Sequence, residues 1–116
     1  MMNAKEELIN KLKKYYNSVI LCADITYEPE YNKKIHIRLP LGYTQKELLE
    51  FLGKLDFDYD EGYGSQELYG YVWLNESAWL ERAEYDGSEW WDHKECPLIP
   101  EYLKNHRDHR DHWELV

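Results

Sequence analysis

Cysteine is scarce. Cys22 and Cys96 are the only two among 116 residues, too few for a disulfide scaffold and in keeping with a reducing cytoplasm. Proline (4) and glycine (6) are sparse too, with no low-complexity linker and no internal repeat. The chain therefore reads as one domain over residues 1–116, with 104–116 as a charged tail. No apolar run approaches the roughly 20 residues that span a bilayer, and residues 1–17 are charged rather than signal-like. Positive charge is short as well. Fourteen Lys and Arg against 23 Asp and Glu give a net charge of −9, which argues against a general nucleic-acid or anionic-membrane binder.

Aromatic side chains are what the sequence has in excess: 11 Tyr and 5 Trp, against 2 Phe. Charge is unevenly spread. Residues 1–54 are net +2, whereas residues 55–101 hold 13 acidic side chains and only Arg82 and Lys94 as cations. Four of the five tryptophans fall in that acidic block. Carboxylates interleaved with large aromatics suit a binding surface for a basic partner, although a soluble exterior over a Tyr/Trp-rich core has the same composition.

Asn3 and Glu6 form a capping-box-like pair, and Leu8, Leu12, Tyr15 and Tyr16 recur at helical spacing, which predicts a helix over 4–16. From Val19 the period falls to two. Val19, Leu21, Ala23, Ile25 and Tyr27 share one face, residues 28–32 turn, and Ile35, Ile37 and Leu39 alternate with His36 and Arg38 in a hairpin. Thr44 and Glu47 make the clearest capping box, ahead of the stripe Leu48, Phe51, Leu52 and Leu55, with Gly53 as the expected stop. Leu55, Phe57 and Tyr59 then alternate with aspartates as a strand. Next comes a strand with Tyr69, Tyr71 and Trp73 on one face and Leu68, Val72 and Leu74 on the other, so apolar on both that it is expected to be central. Asp86–Gly87–Ser88 reads as a tight hairpin turn. Trp90 and Trp91 after it must point to opposite faces, one buried beside Trp79 and Tyr85 and the other near the surface. Residues 101–112 suggest a short terminal helix. The expected architecture is α+β: a mainly antiparallel sheet of five to six strands with two helices packed on it.

No constellation carries a complete catalytic or metal signature. Asp56, Asp58, Asp60 and Glu67 match positions 1, 3, 5 and 12 of a calcium loop, but Glu61 stands where that loop needs glycine. Simple strand alternation explains the spacing. His93, Cys96, His106, His109 and His112 have zinc-like spacings without a second paired cysteine. Ser65 and Ser88 lie in turns with no nucleophile-elbow context, and Glu81, Glu84 and Glu89 lack any companion glycosidase feature. The segment Gly62-Tyr63-Gly64 lacks the Lys and Ser/Thr of a phosphate loop. Neither an enzyme nor a cofactor is expected.

Residues 59–100, with the Gly-Tyr-Gly turn, the Val72-Trp73 strand end, Arg82, "EYDGSEWW" and the exit Pro97-Leu98-Ile99-Pro100, resemble a motif in small accessory proteins of phages and mobile elements. The resemblance covers 42 residues and carries over no catalytic residue. It implies a small protein made to act on host defences, and acidic proteins of this size resemble anti-CRISPR and anti-restriction inhibitors, some of which mimic the charge of DNA. The leading expectation is thus a cytoplasmic inhibitor of a nucleic-acid-handling host protein, touching that protein's basic surface and neither nucleic acid nor membrane itself. Its acidic rim is expected from Asp56, Asp58, Asp60, Glu61, Glu81, Glu84, Asp86 and Glu89, and its anchors from Tyr63, Tyr69, Trp90 and Trp91. The alternative is a protein that sequesters a small molecule or nucleotide derivative in an aromatic pocket.

Overall fold

In a computed structural model the chain is described over residues 1–15, 19–62 and 64–103. Tyr16, Tyr63 and the tail with His106, His109 and His112 lie outside the described residues. Helix α1 (Ala4–Lys13) begins where Asn3 Oδ1 accepts the amide of Glu6 at 3.0 Å. Asn3 also belongs to a two-residue strand, β1 (Met2–Asn3), paired with β4 (Asp58–Tyr59), so one residue starts the helix and ties it to the chain 55 positions on. The helix stops sooner than its apolar spacing predicts. The amides of Lys14 and Tyr15 bond back only three residues, to Lys11 and Leu12, tightening the last turn.

Helix α2 (Gln45–Lys54) carries both bonds of the Thr44–Glu47 capping box. Gly53 does not stop it. That glycine sits inside the last turn, and Leu55 closes the helix in a right-handed conformation, its amide bonding to Leu52. Phe57 then donates to the Leu55 carbonyl, so the strand predicted from Leu55 onward shrinks to β4.

Five strands form the main sheet: β2 (Cys22–Glu30), β3 (Lys33–Leu39), β5 (Leu68–Trp73), β6 (Ala78–Tyr85) and β7 (Ser88–Glu95). Their order is β3-β2-β5-β6-β7 and every pairing is antiparallel. The α+β architecture expected from the sequence is present, and β5 is the middle strand. The β6–β7 hairpin turns through Asp86 and Gly87, both at positive φ (51° and 85°), the geometry that matches the twist of the flanking strands. Of the terminal helix expected over 101–112, the described residues show a 3₁₀ turn, Glu101–Leu103, and 104–112 lie outside the described residues.

Both helices pack on one face. Leu8 from α1, Phe51 from α2 and Leu55 just past its end share a core with Ile25, Ile37, Leu39, Leu68, Val72, Leu80 and Trp91 from the sheet. The two tryptophans divide as alternation requires: Trp91 is 3% exposed and Trp90 40%. The neighbours expected for the buried one are wrong, however. Trp91 pairs with Arg82, while Trp79, Ala83 and Tyr85 share the opposite face with Trp90.

Candidate functional site

The other face of the sheet carries no helix among the described residues. Residues on β5 that alternate with its core set come up there, and Tyr69 and Tyr71 are 38% and 44% exposed. The middle strand is therefore covered on one side only. Tyrosine and tryptophan satisfy both readings of such a pattern, because an apolar ring with a polar handle is stable half in water.

Strand register sets the outer face in rows. Arg38, Asp24, Tyr71, Glu81 and Asp92 form one row across all five strands. His36, Thr26 and Tyr69 lie in a second, and Cys22, Trp73, Trp79 and Lys94 in a third. The cations here are already engaged. Arg38 Nε meets Asp24 Oδ1 at 3.1 Å, and Lys94 Nζ meets Glu81 Oε2 at 2.7 Å. The Lys94 ammonium holds the Glu81 carboxyl below its usual range, and that hydrogen bond raises Lys94 in turn. Between these pairs runs the aromatic strip of β5, in which the Tyr71 and Trp73 rings stack at 5.6 Å. Trp79 donates from Nε1 to Glu81 at 3.4 Å, and Trp90 stands on β7 opposite Ala83.

The residues predicted for the rim and anchors do not converge on this face. Tyr69, Glu81 and Trp90 belong to it. Asp56 and Asp58 sit instead on the helix side, where both accept from Asn3 Nδ2 (2.9 and 3.4 Å) beside the start of α1, a favourable place for negative charge. Asp60 accepts from the Gly62 amide and Glu67 from the Asp60 amide, so the calcium-like carboxylates fold their own loop. That loop abuts the β6–β7 turn: Glu61 O accepts the Glu89 amide, and Glu84 accepts the Gly87 amide. Glu61, Glu84 and Asp86 thus crowd one end of the molecule. Among the described residues, no group of three or more His, Cys, Asp or Glu is placed to hold a metal ion.

Two of the predicted site residues are not on the surface. Trp91 is core, and Glu89, expected on the acidic rim, is 3% exposed. Glu89 points inward because it alternates with Trp90, and its charge is met there by Arg82, likewise buried. Arg82 donates to Glu89 Oε1 from Nε at 3.1 Å and Nη2 at 2.8 Å, and from Nη2 to the Tyr59 hydroxyl. Its Nη1 faces Glu7 Oε1 at 3.1 Å as an ion pair without hydrogen-bond alignment. Tyr59 passes its own proton toward Glu7 at 2.5 Å, and the rings of Tyr59 and Trp91 flank the guanidinium at 5.4 and 5.1 Å. Burial pushes the Glu7 carboxyl up against the opposing pull of Arg82, and burial also raises Tyr59.

This cluster fills a gap in the sheet. β5 and β6 pair only from Tyr71–Glu81 to Trp73–Trp79; beyond that point they diverge. Glu89 reaches across the opening and accepts from the amides of Glu67 (2.8 Å) and Leu68 (3.1 Å), replacing ladder bonds the strands do not make. It is closed to solvent and structural. Sequence spacing does not reveal it, since isolated Arg and Glu in an acidic block read as surface.

Compared with protein-family models, curated proteins and solved structures, the chain matches none. No helix among the described residues is long and apolar enough to cross a membrane.

Proposed function

We propose that this chain is a non-enzymatic binding protein, acting in the cytoplasm of a bacterial host, that occupies the basic surface of a nucleic-acid-handling defence protein. The observation that supports this reading is the helix-free sheet face, where Tyr69, Tyr71, Trp73, Trp79 and Trp90 stand among carboxylates. Large aromatics give the desolvated anchors on which protein contacts depend, and the crowded carboxylates of Glu61, Glu84 and Asp86 at one end complement a groove that holds phosphates. The resemblance of residues 59–100 to phage accessory proteins supplies the context.

The test is purification of the tagged chain from defence-competent bacteria, with a Tyr71→Ser/Trp90→Ser variant in parallel. A stoichiometric nucleic-acid-handling partner, held by the parent, lost by the variant and displaced by DNA or added salt, supports the reading. A parent chain that retains nothing beyond what the variant retains overturns it.

A further inference from the structure

The two exposed tyrosines of β5 lean apart. Tyr71 tilts toward Trp73, against which it stacks, while the Tyr69 hydroxyl is tied the other way, donating to the Gln66 carbonyl at 2.9 Å. Between them lies Gly70, whose lack of a side chain is enforced: a Cβ there would meet the Asp24 carbonyl oxygen at 2.1 Å. The result is a cavity of about 460 Å³ walled by Tyr69 and Tyr71, with Gly70 in its floor and Thr26, Asp24 and Glu81 at its sides. Residues two apart on one strand face stand roughly 7 Å apart, and a planar group inserted between two rings needs about that spacing.

The chemistry of the slot selects among planar groups. Asp24 engages Arg38 through Oδ1 alone, and its second carboxylate oxygen makes no hydrogen bond or ion pair among the described residues. The carboxylates of Asp24 and Glu81 line the slot beside Arg38, Arg82 and His36. The Tyr69 hydroxyl is pushed up by burial and then by the charges of Glu28, Glu89 and Glu84. Arg38 is the cation lining the slot that already has a carboxylate, and Arg82 is committed beneath the sheet. A planar cation fits this set better than a phosphate-bearing ring does. Guanidinium stacks on aromatic faces and offers a fork of donors to a carboxylate.

Resting on the binding role proposed above, we infer that the slot between Tyr69 and Tyr71 receives an arginine side chain of the partner protein. Arginine is also the residue that basic nucleic-acid-binding surfaces present to phosphates, so a carboxylate-flanked aromatic slot takes the phosphate's place.

The test uses the whole chain and capped Gly-Arg-Gly, Gly-citrulline-Gly and Gly-Lys-Gly peptides, with adenosine monophosphate as a fourth probe. Titrations are followed by NMR at the Gly70 amide and the tyrosine ring signals. The arginine peptide should give saturable shifts there in the millimolar range, and citrulline, planar but neutral, should bind about tenfold more weakly. Tyr69→Leu should remove the shifts while leaving the rest of the spectrum folded. Citrulline binding as well as arginine, adenosine monophosphate binding more tightly, or no shift at Gly70 overturns the inference. Its fate separates from that of the binding role. An arginine slot with no partner in the purification defeats the role alone, whereas a partner lost by the Tyr71→Ser/Trp90→Ser variant without arginine binding defeats the slot alone.

Discussion

Replacing Arg82 by Met tests how the sheet is held together. The Arg82 and Glu89 side chains are each 1% exposed, and Glu7 is 12% exposed. Methionine fills much of the volume but leaves Glu89 and Glu7 without their cation inside the protein. Breaking a buried pair from one side costs about 3–5 kcal/mol, because desolvated charge is left uncompensated. Against a total stability of about 5–15 kcal/mol, that is a large fraction. Denaturant unfolding at pH 7 should show it as a fall in midpoint with little change in slope. Removing both charges should hurt less than the sum of the parts. Glu89→Gln keeps an acceptor for the Glu67 and Leu68 amides, so Arg82→Met/Glu89→Gln should lie at least about 1 kcal/mol above additivity. The variant's deficit should also shrink as pH falls, because burial favours the protonated form of Glu7. A loss under about 1 kcal/mol for Arg82→Met, or strict additivity in the double variant, would refute the idea that the ion pair bridges the gap between β5 and β6.

Gly70→Ala should lose about 3 kcal/mol from strain and overpacking, since φ is +124° and the new Cβ strikes backbone; thermal melting measures this. Trp91→Ala should cost about 3–5 kcal/mol. Trp90→Ala should change stability by only about 0.5 kcal/mol yet weaken partner binding by about 2 kcal/mol, read by calorimetry. Glu7 predicts a pH slope. Its carboxyl is raised from 4.5, so as pH climbs above that value the unfolded chain sheds a proton that the native chain keeps, and stability falls. Glu7→Gln should flatten that fall in denaturant midpoints taken between pH 4.5 and 7.

Where local chemistry decides, the sequence was readable. Thr44 and Glu47 cap α2 as their spacing says, Asp86–Gly87 turns the last hairpin, and Trp90 and Trp91 divide between faces. Reading fails where a residue's role is set by partners far along the chain. Glu89 looks like rim because carboxylates usually face water, and only the arrival of Arg82, Tyr59 and Glu7 makes its burial tolerable. The make-up of the open face was missed for another reason. Alternation locates Tyr69, Tyr71 and Trp73 together, but cannot say whether a second layer covers them. Asp24, Thr26, His36 and Arg38 join that face through the β2–β3 and β2–β5 registers, which no local pattern specifies.

Strand β5 also governs how the chain must assemble. The β2–β3 and β6–β7 hairpins each close over a short turn, an event of microseconds. Joining them requires β5 to find β2 across separations of 41 to 51 positions, and β6 offers it only three paired residues in return. The entropy of that long closure falls on one strand. Substitutions within β5, such as Val72→Ala, should therefore slow folding in stopped-flow chevrons, while equal losses in the outer hairpin, such as Leu80→Ala, should chiefly speed unfolding. The strand that carries the exposed aromatics is then also the clasp of the folding transition state, so few substitutions on it leave the kinetics of the whole molecule untouched.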